Sequence, residues 1–414
     1  MLKRVKIRGY KSLADVEVHL QPLSVLFGPN ASGKSNFLDA LQLLSRIANS
    51  NNLKEAFHPP YRGTPLESFT FGSDGIQGLL RQEKLSFSIE VDVELSESVI
   101  NSVKSQYQTT KEVKTTDAGD KVIKDFFSPI TAVVERHVNY VIDVEMIPKS
   151  GILRLSKELL TVINAEGQTV YQLKEENQES SLLSKPVLLV RFPTLTAIRE
   201  ELASWLFFYL EPRERMRLST PVKEVRHIGI MGEDLAAFLN TLRSIDEPQF
   251  RAVEKALHVI IPSVTGIDIS VNNHGNVELG LMQGQTTIPA ELLSEGTLRI
   301  LGLLALGGAK ESPALLGFEE PENGINPERL DLIAEILKNL ASNETQVIVT
   351  THSPTLLDLI PEESLYLFRQ VNGNTVITSL PSWKAKKRRS SSSNTLQEET
   401  RTASERLLRG DFYA

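Results

Sequence analysis

Hydrophobic and polar positions follow different rhythms along this chain, and each change of rhythm marks an element. Val5 and Ile7 alternate with charged residues, and Leu23 to Phe27 is a continuous apolar run ending in the turn residues Gly28, Pro29 and Asn30. Residues 1–30 therefore read as two short strands. Phe37, Leu38, Leu41, Leu44 and Ile47 recur at helical spacing and predict a helix over Ser35 to Ala48. Residues 85–95 alternate strictly. Phe87, Ile89, Val91, Val93 and Leu95 face one way, and Ser88, Glu90, Asp92 and Glu94 face the other, which predicts a half-buried strand. Val138 to Met146 repeats that pattern, and shorter strand-like runs follow at Ile152–Leu155, Thr169–Leu173 and Val187–Phe192. Residues 105–125 are polar and read as a mobile loop.

Leu195 to Leu210, Asp234 to Leu242 and Pro248 to Ile260 carry helical spacing, while Ile267–Val271 and Val277–Met282 predict a hairpin turning at His274 and Gly275. After residue 290 strands and helices alternate. Thr297 to Ala309 reads as a helix, Ala314 to Phe318 as a short buried strand, and Gln346 to Thr351 as another. Between these strands Asn326 caps a helix with Pro327 at its first position and Leu330, Ile333, Leu337 and Leu340 on its core face. Leu365–Gln370 and Thr375–Leu380 flank a turn at Asn372 and Gly373. Residues 384–394, KAKKRRSSSSN, read as a linker, and 395–409 as a terminal helix. This alternation predicts an α/β fold with parallel strands.

Composition narrows the chemistry. The 414-residue chain has no cysteine, which excludes disulfides, thiolate zinc sites and cysteine nucleophiles. Its 45 Lys and Arg against 52 Asp and Glu, a net charge of −7, argue against a surface coated in DNA-binding charge. The N-terminal MLKRVKIRGYKS has no apolar core of a signal peptide, and the longest apolar stretch, Ile300 to Gly308, falls short of a membrane span, so a cytoplasmic protein without membrane contact is expected. Three basic clusters stand out: Lys3, Arg4, Lys6, Arg8 and Lys11; Arg213, Arg215 and Arg217; and KAKKRR at 384–389. Solvated surface charge accounts for each more readily than phosphate contact, and DNA stays open as a partner.

Chemistry concentrates in four motifs. GPNASGKS, Gly28 to Ser35, fits the phosphate-loop pattern GxxxxGK[ST] between a strand and a helix. In such a loop Asn30, Ala31, Ser32, Gly33 and Asn36 shape a backbone cradle for phosphate oxygens. Lys34 reaches the terminal phosphates, and the Ser35 hydroxyl holds Mg²⁺. The paired carboxylates Glu319 and Glu320 end a short apolar strand, where a metal-side acid and a water-activating base belong. Ser294 and Gly296 precede a helix, and this fits either an anion site or an ordinary N-cap. His352 ends another strand, where it can polarise a phosphate or serve structure alone.

The order of these motifs resembles the ABC-class ATPase head. More closely, the chain resembles the prokaryotic RecF/SMC-like AAA family ATPases related to the ATPase half of OLD (overcoming lysogenisation defect) nucleases. The stretches that carry the resemblance are IRGYKSLADVEVHLQPLSVLFGPNASGKSNFLDAL, LLSEGTLRILGLLAL, FEEPENGINP, QVIVTTHSPTLLD and ERLLRGDFYA. The resemblance implies a P-loop ATPase head with a mixed or parallel core sheet, an antiparallel β insertion and a helical signature lobe. The corresponding layout is 1–84 for the first part of the head, 85–192 for the insertion, 193–290 for the helical lobe and 291–381 for the second part. A basic, serine-rich linker at 382–394 and a terminal helix at 395–414 complete it.

The resemblance also implies two heads closing on ATP and Mg²⁺ as a homodimer or higher oligomer. Ser35 and Glu319 would hold the metal, Ser294 and Gly296 would cap the partner's γ-phosphate, and Glu320 and His352 would act at the reacting phosphate. Gln77 is the candidate for a further metal contact. Such heads serve antiphage defence with a separate effector, DNA repair as RecF/SMC-like proteins, or ATP-cemented scaffolding. Departures are Glu319 where Asp is commoner, Glu295 in place of a second signature glycine, Asn326 where relatives often have His, and the lack of a nuclease acid cluster.

Overall fold

A computed structural model describes residues 1–113, 133–307, 313–342, 345–390 and 401–412, which divide into two units. The first comprises Met1–Gln21, Pro29–Trp205 and Phe368–Thr378; the second comprises Pro22–Gly28, Leu206–Leu367 and Ser379–Ala414.

The first unit is built on one antiparallel sheet in the order β2-β1-β4-β5-β6-β7. Its strands are β1 (Leu2–Tyr10), β2 (Leu13–His19), β4 (Leu85–Glu94), β5 (His137–Ile147), β6 (Ile152–Ile163) and β7 (Thr169–Glu175). Alternation sets one face of this sheet. In β4 Leu85, Phe87, Ile89, Val91 and Val93 are buried, and Ile7 of β1 lies opposite both Val16 and Ile89. The unit's helices are α1 (Lys34–Asn49), α2 (Leu53–Ala56), α3 (Gly75–Leu80), α4 (Glu97–Val113), α5 (Pro186–Arg191) and α6 (Pro193–Ala203). Phe37, Leu38, Leu41, Leu44 and Ile47 of α1 are all buried, as their spacing predicts.

The second unit carries a sheet of parallel pairs in the order β15-β3-β14-β13-β8. Its strands are β3 (Leu23–Phe27), β8 (Leu206–Phe208), β13 (Leu315–Glu319), β14 (Gln346–Thr351) and β15 (Leu365–Val371), the last of which ends in the first unit. Every residue of β3 and β14 is buried, the mark of central strands covered on both faces. A smaller antiparallel sheet joins β9 (Thr220–Pro221), β10 (Gly266–Val271), β11 (Asn276–Gln283) and β12 (Thr286–Pro289). The helices are α7 (Leu235–Ile245), α8 (Glu247–Ile260), α9 (Glu295–Gly307), α10 (Leu330–Ser342), α11 (Pro354–Asp358), α12 (Leu380–Ser390) and α13 (Ala403–Arg409). In the first unit, Asn372 and Gly373, at φ 51° and 80°, turn β15 into β16 (Asn374–Ser379).

Several elements differ from the sequence expectation. Residues 1–30 form three strands, because Leu13, Val16 and Val18 supply a buried face for β2. Val187–Phe192 is not a strand; Pro186 starts α5 there, and a short apolar run fits either element. The helix expected over Leu195 to Leu210 ends at Ala203, and Leu206–Phe208 instead pairs in parallel with Leu316–Phe318. Residues 105–113 belong to α4 rather than to a loop, and 384–390 belong to α12 rather than to a linker. The remainders of those two segments, and residues 395–400 of the expected terminal helix, lie outside the described residues. Among the described residues no helix is long and apolar enough to cross a membrane.

The N-terminal basic cluster faces acids. Lys3 pairs with Glu94, Arg8 with Asp15 and Lys11 with Asp39, while Arg4 reaches Glu17, Glu90 and Asp92. Lys6 shares Glu17. Hydrogen bonding from Arg4, then from Lys6, pulls the Glu17 carboxyl down to about 2.

Two tests follow from this packing. A Cβ on Gly317 would sit 2.4 Å from Cδ1 of Phe207, so Gly317→Val should overpack the β13–β8 pair and destabilise by about 1–3 kcal/mol, read as a lowered denaturation midpoint. Glu17 is depressed below its unfolded value of about 4.3, so its contribution is full above that pH. The destabilisation caused by Glu17→Gln should therefore be present at neutral pH and fade as pH falls toward about 2 in pH-resolved unfolding curves.

Candidate functional site

The phosphate loop leaves β3 at Gly28, whose φ is 145°, and enters α1 through Gly33. Ala31 at φ 61° and Gly33 at φ 97° are both left-handed, which curls the backbone. Gly33 is required for space as well. A Cβ there would lie 2.2 Å from Oγ1 of Thr375 and 2.7 Å from Oγ of Ser12. No side chain caps α1, so its N-terminus keeps its capacity for an anion. Lys34 is buried and its Nζ donates to the Pro29 carbonyl at 2.9 Å. Ser32 Oγ is buried without a hydrogen-bond partner. Asn36 Nδ2 donates to Ser12 Oγ at 2.8 Å, and Thr375 Oγ1 donates to the Ser32 carbonyl at 2.9 Å, so the loop is braced from two sides. A curled backbone, an uncapped helix end and an orphaned hydroxyl are features that fit a phosphate chain. Ser35 opens the first turn of α1, where a hydroxyl can meet a phosphate-bound metal.

The acids form their own arrangement in the second unit. Glu319 ends β13 opposite Thr350 of β14, and Thr351 lies opposite Phe27 of β3. Three parallel strand ends thus stand side by side, with Glu319 and Glu320 on one, His352 on the next and Gly28 on the third. Glu320 has φ 48°, a conformation costing about 1–3 kcal/mol that persists only where its surroundings fix it. They do: its N–H donates to the Thr350 carbonyl at 3.0 Å, Asn323 Nδ2 donates to Oε2, and His352 Nε2 lies 3.3 Å from Oε1. Glu320 and His352 are both half-buried, so the pair is held yet open to solvent.

Glu322 lies beneath that pair. It is buried, and its carboxylate accepts from Thr351 Oγ1 and from the His352 N–H at 3.1 Å. Burial raises its carboxyl above the usual range, against the lowering pull of those donors.

Ser294 caps α9. Its Oγ accepts from Thr297 N–H at 3.1 Å and lies 2.8 Å from Thr297 Oγ1, so the ordinary N-cap is realised. Gly296 has no room for a side chain, because a Cβ would lie 2.2 Å from the Gly324 carbonyl. Glu295, the acid in place of a second glycine, pairs with Arg213, and Arg217 donates to the Leu293 carbonyl at 2.7 Å. The carboxylate sits in the first turn, where the positive helix end favours it, and the guanidinium offsets part of its charge.

The sequence-predicted residues thus fall into separate groups. Asn30, Ala31, Ser32, Gly33, Lys34, Ser35 and Asn36 belong to the braced loop of the first unit. Glu319, Glu320 and His352 share one sheet edge in the second. Ser294 and Gly296 sit at the α9 N-terminus, and Gln77 is exposed on α3. Among the described residues no cluster of three or more His, Asp or Glu is arranged to hold a metal. Asn326 caps the turn before α10, accepting from Glu328 N–H. Sequence reading missed Asn323, Glu322 and Thr375, and it gave Arg213 only as one of a basic cluster. Asn323 was detectable from its spacing of three after Glu320, whereas Thr375 reaches the loop across more than three hundred residues.

The chain is similar to known proteins in family and in fold. A family described as "AAA domain, putative AbiEii toxin, Type IV TA system" matches residues 23–358. A chromosome partition protein Smc of Desulfitobacterium hafniense (strain Y51) is 38% identical over 78 residues, which is 18% of this chain and only 6% of that protein. The Smc head bound to the C-terminal winged-helix domain of ScpA superposes with TM-score 0.51 at 15% identity, covering 93% of this chain and 99% of that one. An Smc head with an extended coiled coil bound to the C-terminal domain of ScpA, from Pyrococcus furiosus, gives TM-score 0.50 at 12% identity, covering 94% and 98%. At those identities the superpositions establish the fold alone, that of an SMC-type, ABC-class P-loop head. The chain belongs to the AAA-domain ATPase family described as "putative AbiEii toxin, Type IV TA system".

Proposed function

We propose that this protein is an ATP-driven conformational switch that hydrolyses ATP and controls a separate effector protein in prokaryotic antiphage defence. The observation that carries the reading is the Glu320–His352 pair, held at 3.3 Å on a strand edge by a strained backbone. Residues 30–36 bind the phosphates, with Lys34 leaving the Pro29 carbonyl for the terminal phosphate. Ser35 and Glu319 hold Mg²⁺, and the ion offsets phosphate charge. Glu320, restrained by Asn323 and His352, orients the attacking water and accepts its proton, and His352 contacts the γ-phosphate.

Two copies close head to head, each offering Ser294 and Gly296 to the other's nucleotide. The pairing of Glu295 with Arg213, which offsets part of its charge, supports an anion-accepting role for that helix end. Gln77 supplies a further contact to the metal. The family's toxin–antitoxin description supports a defence setting, and the winged-helix partner named with the Smc head supports a separate protein partner. The sequence match to a chromosome partition protein favours a second reading, a DNA-maintenance ATPase, although the N-terminal cations are paired with acids.

Glu320→Gln should lower ATP turnover by about 10²- to 10⁴-fold and accumulate an ATP-bound dimer or larger assembly in solution mass measurements. Lys34→Ala should abolish nucleotide binding, and unchanged binding would overturn the assignment. Equal, negligible turnover in wild type and Glu320→Gln with ATP-dependent assembly would identify a scaffold instead. Asn323→Ala should free the Glu320 carboxylate and reduce kcat by about tenfold while KM for ATP stays unchanged, measured by steady-state kinetics.

A further inference from the structure

Residues 401–412 form a short segment that holds its own shape. A capping box between Thr402 and Glu405 starts α13, and Gly410, at φ 75°, ends it as the Asp411 N–H donates back to the Arg406 carbonyl at 3.0 Å. Arg401 and Asp411, at the two ends, form an ion pair at 3.6 Å. A seven-residue helix is marginal alone in water, so its order depends on what it packs against. Leu408 is 75% exposed, whereas Ala403 and Phe412 are buried in the core of the second unit.

Two contacts of this segment fall beside the acidic edge. The Phe412 ring meets Phe27 edge-on with centroids 5.2 Å apart, and meets Trp383 of α12 at 4.8 Å. Phe27 is the last residue of β3 and precedes Gly28, where the phosphate loop departs. Ser404 reaches α11 instead. Its N–H donates to Asp358 Oδ1 at 3.0 Å, and its hydroxyl donates to Oδ2. Ser404 lies in the first turn of α13, where amides have no partner inside the helix, so Asp358 supplies one. Helix α11 begins at Pro354, capped by Ser353, directly after His352. Phe27 lies opposite Thr351 in the sheet. The segment therefore grips two neighbouring strand ends, one at the residue before Gly28 and one through the helix after His352.

We propose that residues 401–412 are a clamp that positions the two strand ends of the site, Phe412 acting on β3 and Ser404 acting on α11. This rests on the ATPase reading above. Phe412 fixes where Gly28 leaves β3, and so governs nucleotide binding. Ser404 holds α11 through Asp358, and so governs how His352 faces Glu320. Both are positioning residues, acting through Phe27 and Asp358. The leverage is sufficient, because a displacement of about 1 Å by a change far from the chemistry can cost about 10²-fold. Truncating Phe412 leaves a cavity against Phe27 that the surroundings fill only in part.

Steady-state kinetics and thermal melts of the full chain test this. Phe412→Ala should raise KM for ATP by about fivefold or more, and Phe412→Leu, which keeps most of the volume, should raise it less. Asp358→Ala should lower kcat by about fivefold or more with KM within about twofold, and Ser404→Ala should act in the same direction. The Ser404→Ala/Asp358→Ala double variant should fall no further than Asp358→Ala, because both remove one interaction. Leu279→Ala, at a buried position on β11, is the control for general loosening: it should lower Tm and leave kcat and KM unchanged below the melt. Unchanged KM in Phe412→Ala, unchanged kcat in Asp358→Ala, or the same kinetic losses in Leu279→Ala would each overturn the clamp. No turnover in wild type would overturn the ATPase reading instead. Calorimetric ATP affinity then decides for Phe412→Ala: a loss of about fivefold supports the clamp, and equal affinity overturns it.

Discussion

The acidic edge depends on one constraint, the parallel register of β13, β14 and β3. Pairing Glu319 with Thr350 and Thr351 with Phe27 fixes where each strand stops. The chemistry-bearing residues are the ones that follow those stops, so a slip of one residue would turn the acids from the edge to the opposite face of the sheet. The register in turn rests on continuous burial of β3 and β14, which hold no alternating face and are fixed by packing on both sides. The hydrogen bond from Glu320 N–H to the Thr350 carbonyl is the last rung of this ladder. It continues the strand pairing by one residue into a conformation that a non-glycine side chain adopts only under restraint.

That restraint is assembled from a short loop. Glu320, Glu322, Asn323 and Gly324 lie within five residues, yet each does something different. Glu320 projects its carboxylate to the open side against His352, Glu322 turns inward to hold the following strand's end, Asn323 steadies Glu320, and Gly324 meets the α9 N-terminus. A loop of this kind ties three elements together with few atoms. It also concentrates negative charge, with Glu319, Glu320 and Glu322 close in sequence and Glu295 opposite. Burial raises the carboxyl of Glu322, and Arg213 pairs with Glu295.

The phosphate loop shows the same economy in the first unit. The residues that make it recognisable, Gly28, Gly33, Lys34 and Ser35, are close in sequence, but its bracing comes from Ser12 and Thr375 at the two ends of the chain. The hydroxyl pair Ser12–Thr375 and the carbonyl of Ser32 form a chain of hydrogen bonds that fixes the loop's curl. Gly33 is indispensable for a reason its motif does not reveal: Thr375 occupies the space a side chain would need.

Local sequence determined much of this protein. Helical spacing was enough for α1, α7, α8 and α9, strict alternation for β4 and β5, and Asn372 with Gly373 for a tight turn, because each signal is written within a window of ten or so residues. The phosphate loop and the acids after β13 were legible for the same reason. Short apolar segments were not. Val187–Phe192 and Leu206–Phe208 have no period to read, and only a proline start or a neighbouring strand decided between helix and strand. The tertiary structure alone decided that Glu320 and His352 are partners, that Glu295 pairs with Arg213 from 82 residues away, and that Arg299 and Glu322 are buried without full satisfaction. Charge and burial depend on what packs from distant parts of the chain, and no local pattern encodes them.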